Sequence, residues 1–465
     1  MSRSGGQHWI HAWPWQWGIA ALLAAALRIW LVGRYGILYW PDSSGYSSHA
    51  EQILNLENVW QLAAGKSLSN FRMIGYPAFL AVTMAVGGDA WPWLAVAIQI
   101  LLSLLMLWWL YRLGLAIGFG RGYAAFAAGV FACSHVAIYD GSILTDATAT
   151  YIFLIAVSAL LVPLLERTPV GWVRATICGL LVALTFLIRE ATLYLAIPLA
   201  AGFAVVMSAQ HLPRRQIAGI LFCFLLPVVI MWQGYAAWNV ARTGQRFITT
   251  VGQSVYLLHP LQIEMRGTRV FRDPVLRDAA DATSSDYAYG HALEINRYLK
   301  KRYNLNEWDR TRLSEAAYWD AWRTVPVAML VEFARELRIK YIVQLADLSM
   351  SLRDYPVMGG LEREPLGGFA SRLLLYAMRG FSALVFVGCV VGGPLLLLVP
   401  AVRGAVPVKI EALVFCWLIF AAMIGMYALI HMEFRYSLPG QAFAIIAGMA
   451  VLRHVGLLWK IRMQA

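Results

Sequence analysis

The stretch Ile74-Gly75-Tyr76-Pro77-Ala78-Phe79-Leu80-Ala81-Val82-Thr83-Met84-Ala85-Val86-Gly87-Gly88 decides how this chain is arranged. It is apolar throughout, yet shorter than the roughly 20 residues a membrane-spanning helix needs, and Pro77 sits near its start. If it crossed a membrane, every later loop would change side. The positive-inside rule separates the two arrangements. Without a crossing here and with a cytoplasmic N-terminus, Arg3, Arg112, Arg121, Arg167, Arg174, Arg214, Arg215, Arg403, Lys409, Arg453, Lys460 and Arg462 share the cytoplasmic face. The short outer loops then keep only Arg189 and Arg435, each near a glutamate, Glu190 and Glu433. A crossing would reverse that asymmetry, so residues 74–88 read as a re-entrant or interfacial helix on the outer side.

The rest of the chain agrees with a membrane setting. Of 465 residues, 60% are hydrophobic and 14% charged, and the mean hydropathy is +0.60. Soluble domains carry about 25% charged residues, which excludes a water-soluble enzyme. The reading is an all-α polytopic membrane protein with about ten transmembrane helices. The apolar runs lie at 15–33, 91–111, 122–139, 142–165, 175–188, 191–208, 216–238, 380–402, 410–430 and 437–452. They divide the chain into a transmembrane catalytic module over 1–238, with a first outer loop at 34–73, an extracytoplasmic segment over 239–372, and C-terminal helices over 373–465. Within the middle segment, Arg266 to Asp286 reads as turns, and 290–322 and 325–348 as helices, the second amphipathic.

The net charge of +12 orients loops and gives no argument for nucleic acid, since no nucleic-acid motif accompanies it. The five cysteines, Cys133, Cys178, Cys223, Cys389 and Cys416, fall in apolar runs with neither metal-ligand nor redox spacing. The spacing implies no metal, and a divalent cation stays open. No internal repeat is visible.

Polar groups from separate loops gather on the outer face. The first loop carries Asp42, Tyr46 and His49, and it ends at Arg72. Later loops carry Asp140 and Asp146, then Arg189, then Glu433, Arg435 and Tyr436. Taken singly, each has a plain reading. Asp42 suits an N-cap for a helix from Ser43, Asp146 suits a cap, and Arg189 with Glu190 and Glu433 with Arg435 suit local pairs. His49, Tyr46 and Lys66 suit a solvated face. Arg28, mid-span, calls for a partner within the bundle. Together, the arginines can hold a phosphate and a nearby carboxylate can take a proton from a hydroxyl.

These residues resemble a family. Trp40-Pro41-Asp42 through Tyr46 is similar to the acidic signature of the GT-C glycosyltransferases. Arg72 to Leu80 resembles the segment that follows it in the protein O-mannosyltransferase and lipid A aminoarabinose transferase branch. Leu144-Thr145-Asp146-Ala147, Trp238 to Leu258, and Glu433-Phe434-Arg435-Tyr436-Ser437-Leu438-Pro439 resemble later motifs of that branch. Ser43 departs from it, because an acid often follows the first aspartate there. The resemblance implies a bacterial plasma-membrane enzyme, with its site facing the periplasm or exterior. It implies transfer of a sugar from a polyprenyl-phosphate donor to an acceptor hydroxyl on a glycan, lipid or protein, with inversion. Asp42 would be the base and Asp146 its assistant or the acceptor's orienter. Arg72, Arg189 and Arg435 would hold phosphate, and Tyr46, His49, Glu433 and Tyr436 would complete the substrate site. Two other readings compete: a transporter or flippase of a lipid or sugar, and a polysaccharide polymerase or ligase.

Overall fold

The computed structural model describes residues 15–56, 68–337, 369–398, 408–430 and 434–464. Among them the chain is helical, and the sole strand-like pairing is an isolated bridge between Leu38 and Ser142. Helix α1 spans Trp15–Tyr35 and α2 Ser43–Leu54; α3 spans Gly75–Gly87 and α4 Trp91–Ile117. Then come α5 (Arg121–Ala132), α6 (Val136–Asp140), α7 (Thr145–Leu165), α8 (Trp172–Ile188), α9 (Ala196–Ala209) and α10 (Arg214–Thr243). A run of shorter helices follows: α11 (Gly252–Val255), α12 (Leu258–Glu264), α13 (Pro274–Ala282), α14 (Ala288–Tyr303), α15 (Glu307–Thr324) and α16 (Pro326–Glu336). The chain ends in α17 (Phe369–Val387), α18 (Gly393–Leu398), α19 (Ile410–Ile430) and α20 (Leu438–Gln464).

Among the described residues, eight helices are long and apolar enough to cross a membrane, and the protein is an integral membrane protein. The sequence suggested about ten. The difference lies in two runs: 122–139 breaks between α5 and α6, and 175–188 becomes the 17-residue α8. Helix α7 lies at the centre and is buried along almost its whole length. Its two ends mark the two ends of the bundle. At one end Arg112 pairs with Glu166 at 3.0 Å, Lys409 holds the Leu165 carbonyl, and Arg453 holds the Gly118 carbonyl. The opposite end carries the candidate site.

Helix α3 has 13 residues, about 20 Å at 1.5 Å per residue. A short 3-10 turn at Gly88–Ala90 joins it to α4. Tyr76, in the first turn of α3, donates to Gln99 of α4 at 3.1 Å. The two helices therefore fold back on each other, and α3 begins at the site end. Gly75 makes this possible, since a Cβ there would lie 2.6 Å from the Leu187 carbonyl at the end of α8.

Helices α11 to α16 build a cap with its own core, including Leu257, Leu258, Leu261, Ile295 and Leu299. The expected turns at Arg266 to Asp286 contain helix α13. Asp273 starts it, accepting from Val275 N at 2.9 Å and Leu276 N at 3.0 Å, with Pro274 at the first helical position. Arg277 donates both arms to Glu264, at 2.9 and 2.7 Å. Burial favours the neutral acid, but Arg277 and two backbone amides outweigh it and hold the Glu264 carboxyl below its usual range. The expected amphipathic helix at 325–348 is described to Glu336. Its Glu332 is buried and pairs with Arg266 and Arg335 rather than facing solvent. The cap reaches the bundle where Tyr318 donates to the Leu429 carbonyl at 2.6 Å.

Candidate active site

Two loops at the site end are stitched together. Leu38 N donates to Gly141 O at 2.8 Å, and Ile143 N donates to Leu38 O at 3.1 Å. Trp40 Nε1 donates to Ser142 Oγ at 3.1 Å. Ser43 Oγ accepts from Trp40 N and donates to Ile143 O, both at 2.8 Å. This explains the departure at Ser43. The position is buried and needs a donor for a carbonyl, which an ionised acid cannot supply.

The stitch brings Asp42 and Asp146 to one place. Asp42 is the residue before α2, but its side chain makes no cap bond. Its Oδ1 accepts from Arg72 and its Oδ2 from Arg435, both at 2.9 Å. The capping reading is therefore not what the carboxylate does. Asp146 stands in the first turn of α7, where the helix dipole favours an anion. It pairs with Arg189, and Arg435 lies 4.0 Å from its second oxygen. Arg189 is thus partnered by Asp146, not Glu190. Arg435 stands between both aspartates. The Glu433–Arg435 pair lies outside the described residues.

Aromatic rings hold the guanidiniums flat. Arg72 lies 4.3 Å from the centre of Tyr46, and Arg189 4.4 Å from that of Tyr436. Tyr436 in turn packs on Tyr427 at 5.1 Å. Gly45 leaves room for Arg72, since a Cβ there would lie 2.9 Å from its Nε. Burial pushes the Asp42 carboxyl up, but Arg72 and Arg435 outweigh this and hold it below its usual value. Asp42 is therefore ionised and a weak base while both arginines hold it.

His49 is 2% exposed and does not line the cavity. Burial, then the charges of Arg242 and Arg72, push it down to about 4, so it is neutral. Asp140 turns away from the site to the buried Arg28, the intrahelical-bundle partner that Arg28 required. Lys66 lies outside the described residues.

Above these groups is a cavity of about 720 Å³. Asp42, Tyr46, Arg72, Asp146, Arg189, Arg435 and Tyr436 line its floor, and residues of the cap line the opposite wall. The whole lining carries five arginines, Arg72, Arg189, Arg246, Arg312 and Arg435, against four carboxylates, Asp42, Asp146, Glu190 and Glu315, a small excess of positive charge that attracts an anion. Both oxygens of Asp42 are taken by arginines, and no group of three or more His, Cys, Asp or Glu converges among the described residues.

Sequence reasoning missed several groups. Tyr427 is embedded in an apolar run with no signal of its own. Asn239 and Arg242 end α10. Asn239 holds the Phe247 carbonyl at 2.9 Å, and Arg242 holds the Leu68 carbonyl at 3.3 Å, which ties the cap to the loop bearing Arg72. The contribution of the cap wall to the cavity was also not foreseen.

No protein-family profile and no curated protein matches the sequence. Solved structures do. The apo oligosaccharyltransferase of Archaeoglobus fulgidus aligns over 96% of this chain and 51% of its own, at 11% identity and a TM-score of 0.51. A structure of the oligosaccharyltransferase AglB from the same archaeon, with an inhibitory peptide and a dolichol-phosphate, covers 94% of this chain and 50% of its own, at 11% identity and a TM-score of 0.43. The chain spans about half the length of these structures. What the chain shares with the first of these structures is its fold.

Proposed function

We propose that this chain, which has the fold of a GT-C membrane glycosyltransferase, moves a sugar from a polyprenyl-phosphate donor to an acceptor hydroxyl on the extracytoplasmic face. The observation that carries the reading is the floor cluster: Asp42 and Asp146 come from two stitched loops, and Arg72, Arg189 and Arg435 match them inside one cavity.

In this reading the donor phosphate takes the excess positive charge. Its oxygens compete with Asp42 for Arg72 and Arg435, and the freed carboxylate becomes a stronger base. Asp42 then accepts the acceptor's hydroxyl proton as that oxygen attacks the anomeric carbon. The bond from that carbon to the phosphate oxygen breaks, and the polyprenyl phosphate leaves onto the arginines, whose guanidiniums stabilise its growing charge. Asp146 holds Arg189 and steadies Arg435. One base and one phosphate leaving group suffice for a single displacement, and inversion is the stereochemistry proposed.

Product stereochemistry tests it. Transfer to a simple alcohol, followed by NMR of the product, is expected to show the anomer opposite to the donor's. A retained anomer would overturn this mechanism.

A further inference from the structure

We infer that the acceptor is a glycan, held against the cap wall, rather than a peptide. The inference rests on reading the cavity as a glycosyl-transfer site. At about 720 Å³ it lies in the upper part of the range for ligand sites, roughly 300–1,000 Å³. The floor cluster occupies one side. Facing it are Arg246, Phe247, Tyr289, Trp308, Arg312 and Glu315.

Phe247 and Trp308 form a corner, with ring centres 4.0 Å apart and planes at 53°. Aromatic faces beside planar charged groups suit a sugar. The C–H face of a pyranose lies on a ring, while neighbouring hydroxyls accept paired hydrogen bonds from a guanidinium or donate them to a carboxylate. The donors are available. Arg246 bonds Gln233, Arg312 bonds Gln245 at 2.9 Å, and neither pairs with a carboxylate among the described residues. Charges of both signs are present on the wall, which favours a polyhydroxyl ligand over a simple ion.

One common mode of peptide recognition adds an extended chain to a backbone edge through main-chain hydrogen bonds. The irregular segment 245–251 borders the cavity, but its backbone is turned elsewhere. The Phe247 and Ile248 carbonyls accept from the buried Asn239 at 2.9 and 3.3 Å, and Thr250 N donates to Asn70 O at 2.9 Å. These bonds occupy the two successive carbonyls and one amide of the segment, which counts against strand addition at this edge.

The test uses the full chain in nanodiscs, without donor. The probes are neutral and uronate-bearing oligosaccharides of two to six sugars, and Ser/Thr peptides of matched length, followed by saturation-transfer NMR and tryptophan fluorescence. An oligosaccharide series is expected to bind more tightly than every peptide. The double variant Arg246→Ala/Arg312→Ala is expected to bind it about tenfold more weakly with an unchanged Tm. Tighter peptide binding, no oligosaccharide binding, or affinity unaffected by the double variant would each overturn the inference. Polyprenyl phosphate binding, measured on the same sample, reports separately on the donor reading. Its loss with glycan binding intact would sink the transfer mechanism and spare the glycan wall.

Discussion

Replacing Asp42 by asparagine separates three roles that a static structure leaves entangled. Both carboxylate oxygens are held at 2.9 Å, by Arg72 and Arg435. The cavity lining carries five arginines and four carboxylates, and Asp42→Asn removes one negative charge. Two unit charges 4 Å apart interact by about 4 kcal/mol at an effective dielectric of 20. The Asp42 side chain is 29% exposed, and water and salt reduce that figure substantially. An incoming phosphate no longer has to displace a carboxylate, so binding should tighten by roughly tenfold, about 1.4 kcal/mol. Turnover should move the other way, falling roughly 10²-fold or more, because an amide cannot accept the proton. The assay is calorimetric binding of polyprenyl phosphate to detergent-solubilised protein, beside single-turnover transfer at saturating donor. Opposite signs are the signature of a base that competes with the donor. A cap would move neither quantity, since asparagine caps about as well as aspartate. A residue that only orders the arginines would lower both. Weaker donor binding together with normal turnover would refute the reasoning.

Arg72→Lys should keep partial donor affinity and Arg72→Ala should lose most of it, because lysine keeps the charge but not the fork; unchanged affinity in the alanine variant would remove Arg72 from the site. Gly45→Ala adds a methyl 2.9 Å from Arg72 Nε and should lower turnover several-fold without altering any charge, as measured at saturating donor. The pH profile of kcat/KM should stay flat downward through the ordinary carboxylate range, because Asp42 titrates below it. Arg435→Gln should raise the acid limb, because one of the two charges that hold the carboxyl down is gone, and an acid limb that does not move would contradict the pairing. Arg28→Met leaves the wholly buried Asp140 unpaired and should cost about 3–5 kcal/mol, read as lost thermal stability, with Arg28→Met/Asp140→Leu recovering most of it. Cysteine at the exposed Ser44 should react with an impermeant thiol reagent from outside the cell, and cysteine at Gly120 should not.

The membrane class was legible because hydrocarbon leaves few alternatives to helices, and apolar runs report them directly. Loop charge suggested that residues 74–88 do not cross, and in the structure α3 packs back on α4 through Tyr76 and Gln99. The number of long spans was less legible. Runs such as 122–139 look continuous in composition, but α5 gives way to a turn and the short α6. The ion pairs were the hardest part. Sequence proximity suggested Arg189 with Glu190, yet the partner of Arg189 is 43 residues away on α7. Residue type pointed to which groups carry charge; the stitched loops, built from backbone bonds at Leu38 and Ile143, decided which groups meet. His49 shows the converse error, since its polar neighbours in sequence suggested exposure while α2 turns it inward.

Donor discrimination tests the central claim most directly. Full-length protein in nanodiscs would be given radiolabelled sugars on polyprenyl phosphate, on polyprenyl diphosphate and on a nucleoside diphosphate, in single-turnover reactions scored for the released carrier. The account predicts carrier release from a polyprenyl-phosphate sugar only, abolished in Asp42→Asn. Release from the nucleoside diphosphate sugar, or release from the polyprenyl-phosphate sugar that persists at the wild-type rate in Asp42→Asn, would contradict it.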